Sequence, residues 1–214
     1  MARRTQGTAA GLDRARIAAA AVALIDRDGL ERFGVRRLAE ALGVDPMSIY
    51  HHIKGKAALL DAASEAVLAE VADTLEAGGD GGGDWEELAR RIARAYREVA
   101  FRHPHVVPLL ATRPQVSPVA LSALERLVAA MRAAGLPDRV IADVPLTLFG
   151  FLNGYLLAVV GGDPGGEPGV PPIDADRYPA MASVAPLLTG FGSAAEFERL
   201  LDTLVAGIVD RARR

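Results

Sequence analysis

The chain has 214 residues, half of them apolar, and a net charge of −3 at neutral pH. That length buries a substantial hydrophobic core, in one large domain or two small ones. It contains no cysteine, which excludes disulfides, thiolate catalysis and cysteine-ligated zinc and points to a reducing, cytoplasmic location.

Net acidity taken alone argues against a nucleic-acid partner, but the charge is divided along the chain. Residues 1–60 hold ten Lys/Arg against six Asp/Glu, whereas residues 61–214 hold fourteen against twenty-one. A basic head on an acidic body suits a protein that contacts phosphates at one end. Residues 1–11 are polar and lack the apolar core of a secretory signal, so they read as a flexible basic arm.

From Leu12 to Asp28, apolar residues at Ile17, Ala20, Ala21, Leu24 and Ile25 form a helical stripe that Gly29 ends. A second helix starts near Gly34, a weak cap, and carries Leu38, Ala39 and Leu42 before Gly43 stops it. Asp45 is a good N-cap and Pro46 suits the first helical position, so Met47 to Ile53 forms about two further turns. A helix of that size is about 12 Å long, matching a major groove about 12 Å wide. Two short helices joined by a tight turn have the geometry of a helix-turn-helix. Lys54 and Lys56 then open a long amphipathic helix, 57–77. Lysines at a helix start oppose its dipole, an arrangement that makes sense where a phosphate sits.

Gly78 to Asp84 reads as a flexible connection. Trp85 to Arg102 is helical, capped by Asp84 and stopped at His103-Pro104. Val106 to Leu110 is a short helix or turn, and Ser117-Pro118 starts a helix that ends at Gly135. Asp138 to Val160 is apolar almost all round and must be covered on most sides. Its longest apolar run, Leu146 to Val160, falls short of the roughly twenty residues of a membrane span, so no membrane is expected. Residues 162–179 are rich in Gly and Pro and read as a mobile loop. Met181 to Leu188 is a short helical segment. The last helix, 194–211, carries more apolar surface than water tolerates, so it and the 138–160 helix are expected to form a subunit interface.

These motifs resemble those of the TetR family of bacterial transcriptional regulators. The resemblance rests on Gly29-Leu30, Val35 to Ala39, Leu42 to Val44, Ile49 to Lys56 and Leu59-Leu60. The body is similar to that of the tetracycline-repressor branch, through Trp85, Ala111 to Pro114 and the helix ending at Gly135. The resemblance implies an all-α fold: a three-helix helix-turn-helix head over 12–56 and a helical body over 57–214 that binds a ligand and dimerises. The implied function is a repressor that binds a palindromic double-stranded DNA operator as a homodimer and is released by a small-molecule effector. Activation of transcription, a ligand-independent regulator, and an all-α carrier or enzyme remain alternatives. No cofactor and no metal are expected.

The DNA-binding set that the resemblance implies is Arg36, Arg37, Pro46, Met47, Ser48, Tyr50, His51, His52, Lys54 and Lys56. Arg36 suits a guanine edge or a phosphate, Met47 a thymine methyl, and Ser48 a base hydrogen bond. Tyr50 reaches a phosphate or packs between the helices. His51 and His52 are adjacent on one helix and do not converge on one ion. Lys56 is the phosphate anchor. In the body, the polar asparagine, phenylalanine and magnesium-ligating histidine of the tetracycline binders correspond to Ile92, Tyr96 and Leu109. A glutamine corresponds to Glu125, while Thr112 and Arg113 are retained. Without the histidine, magnesium–tetracycline does not fit. The implied pocket adds Leu124, Met131, Phe149 and Asn153, and suits a mostly apolar effector with one or two polar groups. His103 and His105 read as helix-end residues.

Overall fold

Among the described residues the chain forms ten α-helices and no strand. The computed structural model describes residues 11–79, 84–113, 116–161, 173–188 and 190–213. The arm at 1–10, the connection at 80–83 and most of the loop expected at 162–179 lie outside them. The helices are α1 (Arg14–Asp28), α2 (Val35–Leu42), α3 (Pro46–His52), α4 (Gly55–Ala77), α5 (Trp85–Arg102), α6 (Val107–Thr112), α7 (Pro118–Ala133), α8 (Asp138–Val160), α9 (Pro179–Val184) and α10 (Ala194–Ala212). Short 3₁₀ turns follow α1 and α9.

The boundaries follow from local chemistry. Side-chain oxygens of Asp13, Asp45, Asp84, Ser117 and Ser193 accept backbone N–H bonds from the first turns of α1, α3, α5, α7 and α10, satisfying donors that a helix start leaves open. At the other end of α2, Gly43 takes φ +66, and its N–H and that of Val44 close back onto the helix carbonyls. α6 runs two residues further than the sequence suggests, because Thr112 returns its hydroxyl to the Pro108 carbonyl at 2.6 Å.

The chain divides into two compact units, one from 1–81 with 95–126 and one from 82–94 with 127–214. In the first, α1 buries Ile17, Ala21, Leu24 and Ile25 and packs against α2 and α4. Phe33, Leu38, Ile49, Ile53 and Leu59 close that core. The same unit contains the second half of α5 and all of α6, whose Tyr96, Val99, Val106, Val107 and Leu110 are buried, and α6 packs on α4.

In the second unit α8 packs against α10. α8 is long and apolar enough to cross a membrane by length and composition, yet Val140, Ile141, Val144, Leu148, Leu152, Tyr155 and Leu156 are buried within the unit, as in a core helix. Phe197 stacks on Phe151, and Tyr155 meets Phe191 edge-on. Glu196 ties this cluster to the loop before α10, accepting from the Tyr155 hydroxyl at 3.1 Å and the Gly192 N–H at 2.8 Å. Two arginines of α5 are paired: Arg94 with Glu198 and Glu87, Arg90 with Asp202 and Glu86.

Candidate nucleic-acid interface

The turn between α2 and α3 is built from Gly43, Val44 and Asp45, and its two helices bury only their inner residues. Leu38, Ala39, Ile49 and Ile53 are at most 1% exposed. What remains outside is the predicted reading set. Met47 is 61% exposed, Arg36, Tyr50, His51, His52, Lys54 and Lys56 are exposed, and Ser48 is half-buried. Holding Met47 in the open has a solvation cost, since an exposed thioether gains nothing from burial; a surface that meets a base-pair methyl would recover it.

α3 has seven residues, so it is about 10 Å long at 1.5 Å per residue. It is one residue shorter than the sequence suggests, because Ile53 turns to extended backbone after its N–H bonds the Ile49 carbonyl. Pro46 supplies no N–H, and Asp45 Oδ1 accepts from the Met47 N–H at 2.8 Å. The start of α3 is therefore already satisfied, and Pro46 sets the helix origin. α4 differs: Gly55 takes φ +90, and no side chain caps the helix at Lys54. Lys54 and Lys56 flank that uncapped start in sequence, both exposed.

Arg37 has another partner. It donates to the Arg32 carbonyl at 3.2 Å and pairs with Asp28 at 3.0 Å. Arg27 also hydrogen-bonds Asp28, and this bond, with the positive charges around it, holds the Asp28 carboxyl below the usual carboxylate range. Arg37 thus braces the α1–α2 corner. The pair was not legible locally, because Asp28 and Arg37 lie on different helices.

The predicted effector set is spread over both units. In the first, Tyr96 and Leu109 are buried, Leu124 is half-buried, and Thr112 and Glu125 are exposed. Burial pushes the Tyr96 phenol well above its usual range. Arg113 donates to Asp61 and, at 3.1 Å, to the Ala57 carbonyl. It thereby joins the end of α6 to the first turns of α4. It also lines a groove of about 520 Å³ with Arg14, Asp61, Ser64, Glu65 and Val116. In the second unit Ile92 and Met131 are buried, and Phe149 and Asn153 are half-buried.

Also in the second unit, α8 and α10 enclose a groove of about 560 Å³ lined by Val140, Leu146, Thr147, Leu204, Gly207 and Ile208. Leu146 is 77% exposed. Among the described residues no three His, Asp or Glu side chains are arranged to hold a metal ion.

Residues 17–63 match the family model described as bacterial regulatory proteins, tetR family, and residues 77–212 match the tetracyclin repressor-like, C-terminal domain. The chain is 31% identical over 196 residues to the tetracycline repressor protein class A from transposon 1721 of Escherichia coli, covering 90% of this chain and 88% of that one. It is 37% identical over 120 residues to an HTH-type transcriptional regulator of Saccharopolyspora erythraea, covering 56% of this chain and 49% of the relative. The chain thus spans about half the length of several curated relatives that it matches. Its fold is similar to that of the TetR family protein ActR of Streptomyces coelicolor in complex with actinorhodin, with a TM-score of 0.81, 26% identity, and coverage of 96% of this chain and 100% of the other.

Proposed function

Since the chain belongs to the TetR family of bacterial regulatory proteins, we propose that it is a transcriptional repressor that binds an operator as a homodimer and leaves it when a small molecule enters the body. The observation that carries the reading is the division of α2, α3 and the start of α4 into a buried inner set and an outer set in which Arg36, Met47, Tyr50, His51, His52, Lys54 and Lys56 are exposed and Ser48 is half-buried. In this reading Met47 and Ser48 meet base edges, while Lys54 and Lys56 neutralise phosphate at the uncapped start of α4.

Dimerisation through α8 and α10 covers the exposed Leu146 and the groove beside it, and repeats the head at the spacing of about 34–36 Å that two half-sites require. The effector is mostly apolar, as the Ile92 and Leu109 positions favour, and the similar ActR structure is in complex with actinorhodin. Arg113 gives ligand occupancy a route to the head, since it grips Asp61 and the Ala57 carbonyl on α4. A ligand that favours one position of α4 over another shifts the population competent for DNA. The protein acts by binding rather than by turnover, in the cytoplasm where the operator lies.

Selection of duplexes from a randomised pool by the full chain, followed by gel shifts, tests this. A two-fold symmetric sequence should be recovered. Lys56→Ala should weaken all duplexes alike and lower the salt slope by about 0.9. Met47→Ala or Ser48→Ala should change preference at particular base pairs. Identical behaviour of the two classes of variant would refute the assignment.

A further inference from the structure

His103 follows the last turn of α5 and is held by both ring nitrogens. Nδ1 lies 2.6 Å from Asp26 Oδ2 near the end of α1, and Nε2 lies 3.0 Å from Glu70 Oε2 on α4. All three belong to the first unit, and the ring is 15% exposed. A neutral imidazole has one N–H. It could donate to one of these carboxylates only, and would turn a lone pair toward the other at hydrogen-bond distance. The imidazolium alone satisfies both.

The surrounding charges reinforce this. On α4, Asp73 and Glu65 line the same groove, and on α1 Arg14 lies at its far end, paired with Glu65. On its own helix, Arg102 donates to Glu70 and Thr74. His105 bonds through Nδ1 to the Asp26 backbone carbonyl at 2.8 Å. Glu70 therefore keeps a guanidinium when His103 is neutral. Asp26 differs: its Oδ2 is bonded to His103, while its Oδ1 is buried and accepts no hydrogen bond from the described residues. A carboxylate so placed needs a cation beside it.

We infer that His103 is a positioning residue for the DNA-binding head, holding the end of α1 to α4 as an imidazolium and releasing it when the ring loses its proton. α1 is the helix on which α2 is packed and α4 the helix on which the phosphate-facing lysines stand, so this joint sets how the two are presented. Burial alone would lower the proton affinity of the ring, but the bonds to Asp26 and Glu70 outweigh it and raise the value above that of free imidazole. A histidine of this kind contributes stability in full below its unfolded value, about 6.5, and loses it as pH rises through the folded value.

The head's role in DNA binding rests on the reading above; the joint itself does not, and the experiment separates them. Thermal unfolding of the full chain is followed from about pH 5.5 to about pH 8.5 for the natural sequence, His103→Gln and Asp26→Asn. The other three histidines are present throughout, so differences isolate this one. At the acid end the natural chain should melt roughly 2–4 °C above either variant, and the gap should close as pH rises. Anisotropy with a labelled mixed-sequence duplex at low salt should show the natural chain losing several-fold more affinity over the same range than His103→Gln. A melting gap that does not change with pH would overturn the joint, as would a His103 ring resonance that titrates at or below the free-imidazole value. Absence of duplex binding by the natural chain at every pH would overturn the DNA reading, and the positioning role with it, whatever the melting curves show.

Discussion

Asp45 is where the placement of the reading helix is most exposed to a single substitution. Its carboxylate accepts from the Met47 N–H at 2.8 Å, and its carbonyl accepts from the Ser48 N–H at 2.9 Å. Asp45→Ala removes the first bond and leaves the second. Loss of such a cap costs about 1 kcal/mol. In a helix of seven residues, anchored inward by Ile49 and followed by Ile53, little else opposes fraying of the first turn. For a chain of this size that cost lowers Tm by roughly 2–4 °C. A second effect runs the other way: Asp45 is an exposed anion at the start of the helix proposed to meet DNA, so removing it strengthens non-specific attraction to the duplex. Asp45→Ser separates the two, because serine keeps a capping oxygen and removes the charge. Calorimetry together with competition between the selected operator and a mixed-sequence duplex should show Asp45→Ser keeping its Tm and its discrimination while binding all DNA more tightly. Asp45→Ala should lose both Tm and discrimination. Equal loss of Tm in the two variants, or full discrimination in Asp45→Ala, would refute the reasoning.

Other perturbations probe other parts. Leu38 is fully buried in the head, so Leu38→Ala should cost about 2–5 kcal/mol in denaturant unfolding. Leu146 is exposed in the single chain, so Leu146→Asp should leave the helical circular dichroism unchanged while sedimentation shows half the mass and the palindrome is bound far more weakly. Asp28, held below the usual carboxylate range by Arg27, contributes stability that is present above the unfolded value and is lost as pH falls through the folded one. Asp28→Asn should therefore lower Tm at neutral pH and flatten its fall in acid, which a pH series of melting curves would show.

Most of the helices were legible because their ends are written in short-range chemistry. Asp45-Pro46, Asp84 and Ser117-Pro118 announce helix starts, Gly29 and Gly43 announce stops, and the apolar spacing between them finds the inner face. Side chains that pair across the fold were not legible. His103 lies 77 residues from Asp26 and 33 from Glu70, and a histidine before proline reads locally as a helix end. Arg37 looks like a free basic residue of the second helix, and only folding brings Asp28 to it. The body is harder for a further reason. Ile92, Leu109 and Met131 have the same apolar character whether they line a ligand or fill a core, so periodicity finds them without saying which.

The unequal starts of α3 and α4 have a consequence for anyone who would retarget this protein. α3 opens with a proline and an aspartate that leave its first turn without spare donors, whereas α4 opens uncapped between two lysines. In the proposed reading, recognition and grip thereby fall to separate parts. On that reading Met47, Ser48 and their exposed neighbours would form a cassette to be randomised while Lys54 and Lys56 keep the variants on the duplex. A library built on that division would search for new operator sequences without first having to regain affinity.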